Sequence, residues 1–263
     1  MPIPIYQVDA FTDKLFAGNP AAVVLLEQQA ETEWMQSIAR EMNLSETAFV
    51  HPQQGGYHLQ WFTPEVEVDL CGHATLSTAH ILWQTGLAKT AETIRFFTRS
   101  GWLTASQRND LIEMDFPSSP VEPVDVTEEI ITAVGVRPDY SFISGEKWLF
   151  EYADERIVRG LKPDFAALKL RKGKALSVTA PSSSPGFDFV SRYFAPWIGI
   201  DEDPVTGSAH CFLGPYWAQK LGKSHLTARQ VSARGGIVHV RISADHTYVG
   251  GTAVTVFAGK LLS

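Results

Sequence analysis

The sequence predicts an α+β protein built from two similar halves, each a mostly antiparallel sheet wrapped around one buried helix. Three observations lead there. A motif occurs twice: Trp61-Phe62-Thr63-Pro64, then Asp69, then Cys71-Gly72-His73-Ala74; and Tyr193-Phe194-Ala195-Pro196, then Asp203, then Thr206-Gly207-Ser208-Ala209. Each copy opens a segment of small or apolar residues that reads as a helix enclosed by sheet. Short runs rich in β-branched and aromatic residues, broken by polar turns, surround both copies and read as strands. The second copy carries three extra residues between its Phe and its Gly, Phe194 to Gly207 against Phe62 to Gly72.

Length and composition permit such a molecule. The chain has 263 residues, enough for two halves of ordinary domain size, with 44% hydrophobic and 19% charged residues, near globular averages. Net charge is −7 without a basic cluster, which argues against nucleic-acid and anionic-membrane partners. The apolar runs are shorter than the ~20 residues of a membrane span. Two cysteines and no signal peptide suggest a reduced, cytoplasmic protein. Neither Cys-x-x-Cys nor His-Glu-x-x-His occurs, so no metal is expected, and no Gly-rich nucleotide loop is present.

In chain order, Ile3 to Phe11 reads as a strand, Gly18-Asn19-Pro20 as a turn and Ala21 to Leu26 as a buried strand. Trp34, Ile38 and Met42, with Met35 and Ala39, form one apolar stripe, so a helix is expected over 32–42 with Asn43 as its stop. Leu44 to Val50 has strand propensity, and alternation puts Glu46 on one face with Leu44, Ala48 and Val50. A carboxylate on an apolar face is costly when ionised, and burial would raise its pKa toward the range of a general acid or base. The same pattern also fits an edge-strand glutamate pointing to water, and both readings stand at this point. Strands are expected at 57–62, 94–98, 102–107 and 111–116. Between them lies the helix 74–85, with His80 as a core or rim histidine rather than a ligand.

Pro117-Ser118-Ser119-Pro120 is the domain boundary, dividing the chain into 1–118 and 119–263. A helix at 126–134, strands at 147–153 and 174–179, and a brief helix at 165–170 follow. The loop 181–186 is expected to act as a flap. Strands are expected at 187–194, 231–243 and 248–262, with a helix from Gly207 to Leu221 that Pro215 should kink or shorten.

The repeated motif has chemical content. The first backbone N–H groups of a helix lack internal partners and carry roughly half a positive charge. A Gly followed by small residues lets a ligand approach them. Either copy alone could be a simple helix cap. The matched pair favours a carboxylate site made by two helix starts, Gly72-His73-Ala74 and Gly207-Ser208-Ala209.

With those residues in view, the chain resembles the PhzF-like phenazine-biosynthesis isomerase family of the diaminopimelate epimerase-like superfamily. The resemblance rests on Val8-Asp9-Ala10-Phe11-Thr12, Gly18 through Val24, Leu44-Ser45-Glu46-Thr47-Ala48-Phe49, Asp69 through Thr75, Phe189-Val190-Ser191-Arg192, and Glu202 through His210. It implies two similar halves with the site in the cleft between them, the last strand (about 252–263) packing back on the first half, and a homodimer is considered. It also implies cofactor-independent proton transfer on a small cyclic carboxylate. Glu46 is then the proton shuttle, and His73, Asp203 and Ser208 line the site. Gly72, Ala74, Thr206, Gly207 and Asn19 are expected to bind substrate. An amino-acid racemase using two thiols is the alternative enzyme: Cys71 precedes Gly72, but Thr206 precedes Gly207, and a hydroxyl is far too weak an acid to replace a thiol. Cys71 reads instead as a small buried residue. A non-catalytic small-carboxylate binding protein is the third reading, disfavoured because Glu46 would repel such a ligand.

Overall fold

The computed structural model describes residues 2–89 and 91–262. Two compact units emerge, Met1–Phe116 with Tyr248–Ser263, and Pro117–Thr247. In the first unit the elements are β1 (Ile3–Ala10), β2 (Asn19–Leu25), α1 (Thr32–Met42), β3 (Glu46–Gln53), β4 (Gly56–Phe62), β5 (Glu67–Val68), α2 (Gly72–Gln84), β6 (Ile94–Thr98), β7 (Gly101–Arg108) and β8 (Leu111–Pro117). In the second they are β9 (Glu122–Pro123), α3 (Glu128–Val134), β10 (Tyr140–Ser144), β11 (Lys147–Glu151), α4 (Glu155–Gly160), α5 (Phe165–Lys169), β12 (Ala175–Pro181), β13 (Phe189–Ala195) and β14 (Ile200–Asp203). A 3₁₀ turn (Gly207–Ala209), α6 (His210–Leu221), β15 (His225–Gln230) and β16 (Gly236–Ser243) complete it. The chain then enters β17 (His246–Gly251) and ends on β18 (Ala253–Leu261), which pairs antiparallel with β1.

The duplication extends to strand pairing. In the first unit β1–β2 is antiparallel, β2–β3 parallel, β3–β4 and β4–β5 antiparallel, β4–β6 parallel and β6–β7 antiparallel. In the second, β10–β11, β11–β12, β12–β13, β13–β14, β13–β15 and β15–β16 repeat that order of directions. Each of the four parallel pairs is bridged by helix, as a parallel connection requires. Crossover units therefore occur inside a mostly antiparallel sheet, which the short strand spacings did not signal.

Helix α2 is buried almost all round, from Gly72 through Ala79 and at Ile81 and Leu82, and packs on β1, β2, β3 and β18. Two of its buried hydroxyls are satisfied locally, whereas Ser77 Oγ is buried without a partner among the described residues. The hydroxyls of Thr75 and Thr78 donate to the carbonyls of Cys71 and Ala74 at 2.6 and 2.7 Å. Helix α1 is amphipathic, with Met35 and Ala39 in a cluster with Ile5, Val24, Phe49 and Phe62. It ends on Asn43 in the left-handed conformation, whose N–H reaches the Ala39 carbonyl at 3.1 Å. In the second unit Phe189 stacks on Trp217 of α6 at 5.4 Å, and the Trp217 indole donates to Thr179 Oγ1 at 3.0 Å.

Several expectations are corrected. Leu44 lies outside β3 and packs in the α1 cluster with Phe49, so it does not share a face with Glu46. The expected strand 231–243 starts only at Gly236, because Val231–Gly235 is a turn: Ser232 Oγ donates to the Pro204 carbonyl at 2.7 Å and accepts from Gly235 N. The expected strand 248–262 is two strands, β17 and β18, and β10 and β15 were not foreseen. Helix α6 begins at His210 behind a 3₁₀ turn rather than at Gly207. It also runs through Pro215 to Gly222, because the carbonyl that Pro215 cannot reach, that of Cys211, accepts from Ser119 N at 2.8 Å. The loop expected as a flap is tied down: the Glu155 carboxylate accepts from Ser183 N at 2.9 Å and from Ser182 Oγ at 3.2 Å. Among the described residues no helix is long and apolar enough to cross a membrane.

Gly18 fixes the entry to β2. Its φ is +66°, and a Cβ there would lie 2.1 Å from the Ala10 carbonyl oxygen, which rigid paired backbone holds in place. A left-handed alanine alone costs about 1–2 kcal/mol, so with the clash we expect Gly18→Ala to lose roughly 2 kcal/mol or more in urea denaturation. An unchanged midpoint would show that the β1–β2 turn relaxes freely.

Candidate active site

Two clusters hold the residues singled out by sequence, one in each unit. In the first, the parallel pairing of β2 with β3 sets Ala21 opposite Glu46, the first residue of β3. Alternation turns Glu46, Ala48 and Val50 toward α2, while Phe49 faces α1. His73, the second residue of α2, meets Glu46 there, with His73 Nε2 and Glu46 Oε2 3.1 Å apart. Their side chains are 7% and 13% exposed. The approach is close but not aligned as a hydrogen bond, so both atoms keep bonding capacity for a third group. On the other side of the ring, His73 Nδ1 lies 3.2 Å from the Asn19 amide and 3.5 Å from Cys71 Sγ. An amide can accept from Nδ1–H or donate to a bare Nδ1, so Asn19 suits either protonation state. Gly72 and Ala74 flank the histidine in the first turn of α2, whose N-cap Cys71 makes no side-chain capping bond.

Electrostatics distinguish the three groups. Burial, and then the Glu46 carboxylate, push the Cys71 thiol up to about 11. Cys71 is therefore a neutral thiol near pH 7. Burial opposes protonation of His73, yet its sulfur and carboxylate neighbours outweigh that and raise its pKa well above the ordinary histidine value. Of those neighbours we weight Glu46, since a neutral thiol supplies no charge. Glu46, Cys71 and His73 also bring ligand-capable atoms within 4.8 Å of one another. The expectation of no metal rested on sequence spacing, which cannot reveal a donor set drawn from β3 and α2. A carboxylate, an imidazole and a thiolate are the donor types that zinc takes. Here the thiol would first have to lose a proton that its surroundings retain.

In the second unit, Asp203, Thr206, Gly207 and Ser208 lie on one short segment. Thr206 Oγ1 donates to Asp203 Oδ2. Gln230, fully buried at the end of β15, accepts from Thr206 N at 2.9 Å and donates to the Asp203 carbonyl at 2.7 Å. Gln230 thus shapes the loop, and sequence reading missed it because a lone glutamine in a mixed polar run carries no signal. Arg192 of β13 grips Glu202, the neighbour of Asp203, through two bonds of 2.7 and 2.9 Å. His210 is buried, held down to about 4 by burial, and neutral; its Nδ1 sits 2.9 Å from the Thr206 carbonyl. Ser208 faces a cavity of about 530 Å³. His80, set aside as a rim histidine, is half-buried with Nε2 3.0 Å from Thr255 Oγ1.

The phenazine biosynthesis-like (PhzC-PhzF) protein family model matches residues 8–259. The chain belongs to this family. An uncharacterized isomerase of Halalkalibacterium halodurans is 48% identical over 263 residues, spanning 100% of this chain and 99% of the relative. The crystal structure of a PhzF-family phenazine biosynthesis protein from Enterococcus faecalis is 42% identical, covers 100% of both chains and superposes with a TM-score of 0.95. A probable proline racemase from Agrobacterium radiobacter shares the fold alone, at 12% identity and a TM-score of 0.68, over 99% of this chain and 93% of that one. The PhzF-family protein thus has the diaminopimelate epimerase-like α+β fold, and its named relatives include isomerases.

The raised pKa of His73 has a thermodynamic consequence. A histidine protonated more readily when folded contributes stability that is complete below the unfolded value of about 6.5 and is lost as pH rises toward the higher folded value. Unfolding free energy measured by urea between pH 6 and pH 9 should therefore fall more steeply in wild type than in Glu46→Gln. Parallel curves would mean that Glu46 does not control the His73 proton.

Proposed function

We propose that this protein is a cofactor-independent isomerase that moves a proton between carbons of a small cyclic carboxylate, with Glu46 as the shuttle. The observation that carries the reading is the pairing of Glu46 with His73, two nearly buried groups 3.1 Å apart that retain bonding capacity. A carboxylate can take a proton from carbon and return it to another carbon on the same face, the double bond shifting between. Charge develops on the substrate's unsaturated system meanwhile. A protonated His73 beside the shuttle would offset that charge. Asp203 and Ser208 are assigned to the substrate's polar groups, with Gly72, Ala74, Thr206 and Gly207 supplying backbone near it and Asn19 orienting His73.

Family membership supports the isomerase class, and the name of the 48% identical relative carries no substrate. Two-thiol racemisation is disfavoured on physical grounds. Cys71 is a thiol pushed up to about 11, and its counterpart in the second motif copy is Thr206. An attacking thiolate near pH 7 needs the opposite shift.

The test is proton exchange from solvent deuterium into a panel of cyclic carboxylates, read by mass spectrometry. Glu46→Gln should lower exchange by about 10²-fold or more, the usual worth of a positioned acid–base group, while carboxylate affinity is maintained. Cys71→Ser should retain exchange, and alkylation of wild-type Cys71 should be slow. Equal losses of affinity and exchange in folded Glu46→Gln would make Glu46 a binding residue. Abolition of exchange in folded Cys71→Ser would replace the carboxylate mechanism with a thiol one.

A further inference from the structure

The cavity beside Ser208 contains a charge that the proton-transfer reading does not use. Its lining includes Ser119, Glu122, Ser144, Lys147, Ser208 and Phe212, all in the second unit. Lys147 opens β11 and pairs with Ser144 across the turn Gly145-Glu146, so the hairpin sets both residues at the cavity. Among the described residues, the Lys147 ammonium has no hydrogen-bond or ion-pair partner. The nearest acid in sequence, Glu146, is taken by Lys174 at 2.7 Å. Lys220 and Lys223 of this unit are matched with Glu151 and Asp188, each at 2.5 Å, while Lys162, Lys169 and Lys172 are exposed to water, unlike Lys147.

The surroundings offer Lys147 no compensation. Burial lowers its pKa, which is the signature of an ammonium deprived of water. Cys211, close enough to be felt electrostatically, is itself pushed up to about 12 by burial and is a neutral thiol. Glu122 reaches the cavity from an exposed position without pairing with Lys147. A half-buried, unpaired cation that lines one cavity with Ser119, Ser144, Ser208 and Phe212 is incomplete electrostatically. An entering anion would restore its partner, the serines could donate to the anion's oxygens, and Phe212 offers contact for an apolar body.

We propose that this cavity is a carboxylate subsite in which Lys147 is the counter-ion, and that it selects small organic monoanions. A second negative charge would meet Glu122, whereas a hydroxyl or amino substituent would find an acceptor there. The inference deepens the isomerase reading, on which it rests by taking Ser208 as a substrate-holding residue. Lys147 is assigned to specificity, not to proton transfer.

Two probes of nearly equal shape separate charge from fit: cyclohex-1-ene-1-carboxylate and cyclohex-1-ene-1-carboxamide, titrated by calorimetry. Wild type should bind the carboxylate at least ~10-fold more tightly than the carboxamide, a difference of about 1.4 kcal/mol. Lys147→Met should abolish that preference without changing carboxamide affinity, and Lys147→Arg should retain most of it. No preference in wild type, or a preference that survives in folded Lys147→Met, overturns the proposal. Should Lys147→Met fail to fold, wild type decides by NMR: the carboxylate, and not the carboxamide, should shift the Lys147 ¹³Cε resonance, and equal shifts overturn it. Lys147-dependent binding without any proton exchange would remove the isomerase reading and leave the subsite standing. Glu46-dependent exchange without Lys147-dependent binding would do the reverse.

Discussion

A carboxylate and an imidazole 3.1 Å apart, each nearly out of water, form the interaction on which the first unit's candidate site depends. Coulomb attraction at that distance is worth roughly 5 kcal/mol at an effective dielectric of about 20. Removing two ions from water costs several kcal/mol each, so the pair gains little net stability and removal of one partner leaves the other exposed to the full penalty. Its retention in a core of Ala21, Ala48 and α2 therefore makes more sense as chemistry than as glue. The fold supports it from both ends. The parallel β2–β3 pair fixes Glu46, and the buried first turn of α2 fixes His73.

The second unit uses the same frame for a different purpose. Its strand directions repeat those of the first unit, yet the motif there carries three extra residues and no titratable pair like Glu46 and His73. Two of the extra residues lie between Phe194 and Asp203 and one between Asp203 and Gly207; the loop 203–206 is bound at both ends by Gln230 and closed internally by Thr206 on Asp203. Behind it α6 starts with a 3₁₀ turn instead of a regular α turn. His210, which could be mistaken for a counterpart acid or base, is kept neutral by burial and serves the backbone of Thr206. The first unit thus carries the buried Glu46–His73 pair, and the second carries fixed hydrogen-bonding groups and Lys147.

Much of this was legible in the sequence where local physics decides the outcome. The apolar stripe of α1, its Asn43 stop and the all-round apolar segment of α2 follow from periodicity, and the motif repeat foretold the repeated pairing. Glu46 was visible as a carboxylate on an apolar strand face. Tertiary decisions were not visible. Leu226, Ala228 and Gln230 alternate inward on β15, but a buried polar Gln230 disguises the pattern. Pro215 reads as a helix breaker until Ser119 takes the freed carbonyl. The break between β17 and β18 follows Gly251, where a Cβ would lie 2.5 Å from the Phe11 ring, a contact between segments far apart in sequence. Cys71 could be read as small and buried, but its contact with His73, and the unpaired state of Lys147, need coordinates.

The central claim, that Glu46 holds a proton on His73 in a water-poor setting, is open to direct observation. ¹⁵N NMR of histidine-labelled protein at pH 7.5 reports both ring nitrogens of His73 separately. The account requires an imidazolium, with both nitrogens protonated, that reverts to a neutral ring in Glu46→Gln. A neutral His73 in the wild-type protein at that pH would contradict it.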